Sequence, residues 1–327
     1  MKTKLRMIIF LFILLSFSFS GMACTPQKTP IKIAISAWAG LEPAELAAQL
    51  GYYEKHGVEV EMVRFSVYSD SIEAFEDGKV DAGMHTLDDA IRYFSAGKDV
   101  RVVLMTDYSF GGDGLVARPG IESLADLRGH TIGVEIGTVG HFSLLQILEV
   151  AKLTTEDVNI VSSPAWEIQQ SMLNGTLDAG VTWEPYLTST AEMLGGKVLI
   201  TSREYPETIL TSMIFDAGVI ADRPDDVQKV VAAYFDAVEY IKINPQDAYQ
   251  RMAEAEGISA AEFASHVAGV QYLDLEKNLD FFGAEENGYA FQQTNTISQF
   301  LFNQGVIYSL PEASELLEPL FIRELSK

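Results

Sequence analysis

From Ile31 onward the chain alternates between short apolar runs and stretches whose apolar positions recur every three or four residues. Runs of the first kind predict strands, and the second pattern predicts helices. The spacing predicts strands over Ile31–Ser36, Val58–Phe65, Val80–Met84 and Val100–Thr106, with helices over Pro43–Leu50, Ser69–Glu76 and Asp88–Ala96 between and after them. The order begins again after Arg128. Strands are predicted at Thr131–Glu135, Val158–Val161, Leu177–Thr182 and Val198–Thr201, and helices at Gly140–Lys152, Ala165–Leu173 and from Glu184. Beyond Pro224 the pattern is almost wholly helical, and Asp225–Ile243 is its most amphipathic segment. This alternation predicts an α/β fold with mostly parallel sheets covered by helices on both faces.

A weak internal duplication divides the pattern in two. Glu73-Ala-Phe-Glu-Asp-Gly78-Lys-Val-Asp81-Ala-Gly83 aligns with Gln170-Ser-Met-Leu-Asn-Gly175-Thr-Leu-Asp178-Ala-Gly180. In both, a helix closes on a glycine suited to the left-handed conformation, and a strand is entered through Asp-Ala-Gly. Helix–Gly–strand steps occur in any α/β protein. The similar spacing of the preceding units, which start at Ile33 and Ile132, is what carries the duplication. Two lobes are also what about 300 residues predict, since that length exceeds one core.

The first 23 residues do not belong to this pattern. Lys2, Lys4 and Arg6 precede an unbroken apolar run, Met7–Leu15, and Ser16–Ala23 falls to small and mixed residues. This is the order of a secretory signal peptide, with a run too short to span a bilayer unless the Ser/Phe segment joins it. Cys24, the only cysteine in the chain, follows directly. A cysteine at that place resembles the lipobox of bacterial lipoproteins, where the thiol is acylated. Ala23 fits that pattern, and Gly21 stands where leucine is usual. The alternatives are a chance thiol beside an ordinary cleavage site, or an uncleaved anchor helix. The lipoprotein reading predicts export, with residues 24–30 as a flexible lipidated tether.

Charge narrows the partners. Losing Lys2, Lys4 and Arg6 leaves 20 of the 23 basic side chains against 46 acidic ones, a formal charge of −26. Such a surface repels nucleic acid and anionic lipid, so an acyl chain is the expected membrane contact. With 48% hydrophobic and 10% aromatic residues, the chain is a folded one. One cysteine allows no disulfide or thiolate metal cluster, and neither a metal nor a cofactor is expected.

The residues after the first strand carry a family resemblance. Trp38-Ala-Gly40, Gly51-Tyr-Tyr-Glu-Lys-His-Gly57-Val-Glu-Val, Gly78-Lys-Val-Asp81-Ala-Gly83, Ile121-Glu-Ser-Leu-Ala-Asp126-Leu-Arg-Gly129-His-Thr-Ile-Gly-Val and Thr182-Trp-Glu-Pro-Tyr186 follow one another between about Ile31 and Ala255. Together they resemble ABC-importer substrate-binding proteins of the type II periplasmic-binding fold. The nearest group holds the sulfonate- and taurine-binding proteins and the thiamine-pyrimidine (THI5/NMT1-like) binders. The resemblance implies lobe one at residues 31–115, lobe two at 116–212 and a return to lobe one at 213–327. The crossings fall near Gly114–Arg118 and Thr211–Phe215, with a ligand cleft between lobes at the carboxyl ends of the strands. It implies a monomer serving an ABC permease and its ATPase.

Candidate ligand-binding residues lie at strand ends. Trp38 can stack a flat ligand or cover a cation, or else pack a rim. Gly137, Thr138 and His141 open a helix, where free N–H groups suit an anion or a carbonyl, or where Thr138 simply caps. Trp183, Glu184 and Tyr186 end a lobe-two strand, and Glu184 either accepts from an amine or serves the first turn of its helix. Thr86 and Asp88 are their lobe-one counterparts, with capping as the other reading of Asp88. Tyr108 and Asp113 flank a glycine-rich turn. Cleft-facing segments thus supply Asp88, Asp113, Glu135 and Glu184 with four aromatics, against His85, His141 and Arg92 or Arg118. That balance suits a cationic or zwitterionic amine or an amino-heterocycle better than a sulfonate.

Solute capture for an importer is therefore expected, without chemistry. A ligand-sensing partner of a membrane receptor would share every feature. A pyrimidine-synthesis-type enzyme on the same fold is the third class, but the family's cysteine-rich segment is missing. No Gly-x-Ser-x-Gly, His-Glu-x-x-His or phosphate loop is present either.

Overall fold

A computed structural model describes residues 29–205, 207–284 and 287–327. The proposed signal peptide, Cys24 and the start of the tether lie outside the described residues. Two sheets organise the chain. The first strands are β1 (Ile31–Ser36), β2 (Val60–Phe65), β3 (Ala82–Thr86), β4 (Val100–Ser109) and β5 (Asp113–Ala117). They are followed by β6 (Thr131–Val134), β7 (Asn159–Ser162), β8 (Ala179–Trp183), β9 (Lys197–Thr201), β10 (Leu210–Asp216) and β11 (Val270–Tyr272). The larger sheet has the order β11-β4-β10-β3-β1-β2, and the smaller β7-β6-β8-β5-β9.

In the larger sheet β1 to β4 run one way, against β10 and β11. In the smaller, β5 alone opposes its neighbours. The sheets are mixed: most strands in each point one way, and four of the nine neighbouring pairs are parallel. β1 lies within the larger sheet, and Ile31, Ile33, Ala34 and Ile35 are fully buried, the near-continuous apolar run of a strand covered on both faces.

Helices cover both sheets. They are α1 (Glu42–Gln49), α2 (Tyr52–His56), α3 (Tyr68–Glu76), α4 (Leu87–Ser95), α5 (Val139–Ala151), α6 (Ala165–Asn174) and α7 (Tyr186–Leu194). After them come α8 (Ala217–Asp222), α9 (Pro224–Ile243), α10 (Pro245–Glu256), α11 (Ala260–Val267), α12 (Leu275–Phe282) and α13 (Tyr289–Asn303). The late helices return to the larger sheet. Buried Asn278 of α12 accepts from Met105 N–H at 2.8 Å and donates to Met105 O at 2.9 Å. Tyr234 of α9 donates to Thr106 O at 3.3 Å.

The duplication is physical. β1 pairs β3 through Ile33↔Ala82 and Ala34↔Gly83, and β6 pairs β8 through Ile132↔Ala179 and Gly133↔Gly180. Asp81 accepts the backbone N–H of Lys32 at 2.8 Å, and Asp178 that of Thr131 at 2.9 Å. Each aspartate thus ties its strand to the start of a parallel neighbour, β1 for Asp81 and β6 for Asp178. Gly78 and Gly175 have φ of 68° and 82°, the left-handed helix closure the pattern required.

The crossings fall outside the expected segments. The chain leaves β4 at Ser109 and enters the other sheet at Asp113; it leaves β9 at Thr201 and re-enters at Leu210. Gly114–Arg118 and Thr211–Phe215, expected to be crossings, are instead largely strand. Each crossing chain pairs at once in the sheet it enters, antiparallel to both its neighbours. The crossings themselves are bonded together: the Ser109 and Ser202 hydroxyls lie 2.8 Å apart, and Ser202 Oγ accepts Gly111 N–H at 2.7 Å.

Candidate functional site

The cleft is built where strands of both sheets end. β1 stops at Ser36, and Trp38 follows. Its indole N–H donates to Asp107 Oδ1 at 2.9 Å. Buried Asp107 also accepts from the hydroxyls of Thr106 at 2.8 Å and Thr211 at 3.2 Å. Burial pushes Asp107 up to about 6 against the pull of these three donors. Gly40 leaves room for the pair: a Cβ there would sit 2.3 Å from Trp38 Nε1 and 2.4 Å from Asp107 Cγ.

The lobe-one wall is Tyr68, the first residue of α3. Its hydroxyl donates to Asp89. Thr86 gives Asp89 its N–H at 3.2 Å and its hydroxyl at 2.7 Å, closing a capping box on α4. The capping acid is therefore Asp89, not Asp88. Behind them His85 is wholly buried, with Ser71 Oγ 3.1 Å from one ring nitrogen and Tyr93 OH 2.9 Å from the other. Burial pushes it down to about 4, so it is neutral at physiological pH and supplies no cation. Arg118 is likewise engaged, donating to Met172 O at 3.3 Å.

The lobe-two wall is Trp183, at the end of β8, packed edge-on against Tyr68 with ring centres 6.1 Å apart. Asp113 starts β5 opposite Trp183. Its carboxyl is pushed up to about 7, mainly by burial, then by the negative charge of Asp107 and Glu184, while the Ser109 hydroxyl pulls the other way.

Two adjoining chambers result. The first is walled by Trp38, Leu41, Met84, Thr86, Asp113, Val139, Ile209 and Thr211. The second adds Ser66, Val67, Glu135, Pro164, Trp166 and Tyr186. Ser36, Ala37, Tyr68 and Trp183 border both. Among the described residues, no Lys, Arg or His side chain lines either chamber.

Of the expected site residues, Trp38, Thr86, Asp113, Trp183 and Tyr186 come together at these chambers. Asp88, Gly137, Thr138 and His141 gather instead in a separate small space between α4, α5 and α13, with Arg92. Burial raises Asp88 to about 7, and burial with the nearby Arg92 lowers His141. Thr138 caps α5: its hydroxyl donates to Glu135 O at 2.7 Å and accepts Gly140 N–H at 3.2 Å.

Glu184 lines neither chamber, because its carboxylate accepts the N–H of Thr188 at 3.2 Å and its hydroxyl. It serves its helix, and the expected convergence of Glu184 with Asp88 does not occur. Tyr108 also lines neither, since strand alternation turns it away from the face that carries Asp107. Tyr68, Asp89, Asp107, Trp166 and Thr211 were not expected as site residues. The Thr86-x-x-Asp89 spacing was readable as a capping box; Asp107 closes an apolar run and carried no signal.

Comparison with known proteins now places the fold. The NMT1/THI5-like family model matches residues 42–248, more than half of the chain. The chain belongs to the NMT1/THI5-like family. Within and around that family it is 25% identical, over 76% of each chain, to a Brachyspira hyodysenteriae protein named as an ABC transporter periplasmic binding protein. It is 26% identical to the Aspergillus parasiticus 4-amino-5-hydroxymethyl-2-methylpyrimidine phosphate synthase, over 66% of this chain and 67% of that one. The crystal structure of the Escherichia coli periplasmic aliphatic sulphonate binding protein superposes with a TM-score of 0.69 at 18% identity, covering 88% of this chain and 97% of that one. The NMT1/THI5-like chain therefore has a periplasmic-binding fold, with Trp38 and Trp183 on opposite sides of its cleft.

Proposed function

We propose that the protein captures a small organic solute outside the cytoplasm for an ABC importer, as a monomer tethered through Cys24. Its solute is a flat amine or amino-heterocycle rather than a sulfonate. Family membership and the relatives named as importer binding proteins support the capture role. One observation carries the solute class: the chambers have aromatic walls, hold the buried carboxyls Asp113 and Glu135, and among the described residues are lined by no cationic side chain. A buried sulfonate needs charged or multiple donors, and a carboxylate beside it is repulsive. An amine meets the opposite situation, since an aromatic wall attracts a cation and a buried carboxylate pairs with it. No bond is made or broken in this role.

Thermal-shift and calorimetric titration against aliphatic sulfonates, taurine, alkyl and aryl amines and aminopyrimidines tests it. Stabilisation by amines or aminopyrimidines is expected, with the bound compound recovered unchanged by mass spectrometry. Stabilisation by sulfonates alone refutes the solute class; conversion of the bound compound refutes the capture role.

A further inference from the structure

Glu135 follows β6 and precedes the turn that opens α5, and its two carboxyl oxygens are unequally placed. Oε1 accepts the backbone N–H of Ser69 at 3.0 Å, from the first turn of α3 on the opposite lobe. Oε2 is buried with no hydrogen-bond partner, in a residue 5% exposed that lines the second chamber. A buried carboxylate oxygen without a donor is rare and costly, and it marks a place where a donor is missing. Burial pushes the Glu135 carboxyl up, the Ser69 hydroxyl and N–H pull the other way, and the charges of Asp70 and Asp89 add to the rise. Tyr68, Trp166, Trp183 and Tyr186 supply the aromatic part of the remaining wall, which small and hydroxyl-bearing residues complete, and Trp166 is 49% exposed at its margin.

We propose that Glu135 holds the ammonium or amidinium end of the solute through Oε2 while Oε1 keeps the two lobes shut upon it. The inference rests on the capture reading and adds an orientation: the flat part lies in the Trp38 chamber, and the cation lies in the Trp166 chamber. An entering cation keeps Glu135 ionised. An ionised carboxylate is the stronger acceptor for an N–H at a helix N-terminus, so the bond to Ser69 tightens when the cation is present. One side chain thereby couples ligand charge to lobe closure.

The test uses the full-length protein with benzylamine, phenethylamine and tryptamine, each against the alcohol and the sulfonate of the same skeleton. Wild type is expected to bind at least one amine more tightly than its alcohol. Glu135→Gln keeps an acceptor for Ser69 and removes the charge. It should weaken that amine about ten- to a hundred-fold while leaving the alcohol nearly unchanged. Small-angle scattering should show amine-induced compaction in wild type and less of it in the variant. Glu135→Asp retains the charge on a shorter arm and should recover part of the amine preference, which keeps the test decisive if the glutamine variant folds poorly. An amine preference that survives Glu135→Gln and disappears in Asp113→Asn overturns this assignment and leaves the capture reading standing. Wild type that binds sulfonates and no amine overturns both, and wild type that binds no amine of the panel overturns this assignment.

Discussion

Asp113→Asn should make the empty protein more stable, and only at neutral and higher pH. The side chain is 5% exposed at the start of β5, where it faces a chamber without a cation. An ordinary aspartate ionises near 3.8 and this one at about 7, because burial penalises its charge and Asp107 and Glu184 repel it. At about 1.4 kcal/mol for each pH unit between those values, the ionised form costs the folded state about 4 kcal/mol. The sign follows from the raised value. Below about pH 4 folded and unfolded chains are both protonated there and the cost is absent; above about pH 7 both are ionised and it is present in full. Asparagine keeps the shape and carries no charge at any pH. Urea unfolding at pH 4, 6 and 8 should therefore show the variant equal to wild type at pH 4, intermediate at pH 6, and about 4 kcal/mol more stable at pH 8. Over about 300 residues that corresponds to roughly 6 °C in melting temperature. A stability difference independent of pH, or a less stable variant at pH 8, would sink the argument that Asp113 is a destabilising charge held in reserve.

Gly40→Ala should destabilise by at least about 2 kcal/mol, because its Cβ displaces the Trp38–Asp107 hydrogen bond, a bond to a charged group worth about 1.5–3 kcal/mol; an unchanged melting curve would show that the pair yields freely. Trp183→Ala removes the wall common to both chambers and its contact with Tyr68, so amine affinity measured by calorimetry should fall at least about tenfold. Cys24→Ser in the producing cell should abolish fatty-acid labelling and detergent partitioning, and partitioning equal to wild type would refute the acyl tether.

Most of the fold was legible because the sheets are buried. β1, β3, β6 and β8 are apolar enough to stand out as runs, and their predicted limits differ from the observed ones by three residues at most. β5 and β10, the strands by which the chain enters each sheet, were not legible. β10 carries Thr211 and Ser212 in its interior, and their polarity reads as loop. In the fold their hydroxyls are satisfied, Thr211 by Asp107 and Ser212 by His85 O at 3.0 Å. β5 opens on Asp113-Gly114, which in isolation reads as turn chemistry. In β10 the polar side chains are there because partners far away in sequence receive them.

The site was legible as a place and less so as a set of roles. Strand ends marked Trp38, Asp113 and Trp183, which the fold brings to one chamber, but which carboxylates are free depends on donors brought together only by folding. Asp89 receives Tyr68, both groups of Thr86 and Arg92, and Asp107 receives Trp38, Thr106 and Thr211. With acceptor sites so occupied, these two serve as fixtures that hold the cleft wall. Glu184 is consumed by Thr188 in the same way. Asp113 meets the Ser109 hydroxyl, and Glu135 has one oxygen filled and one empty. A buried acid kept short of donors weakens the empty protein, as the Asp113→Asn experiment measures, and a cationic solute removes that cost on binding. On the capture reading proposed above, this difference in donor supply separates structural from ligand-facing carboxylates, and it favours an amine over the sulfonate named for the structural neighbour.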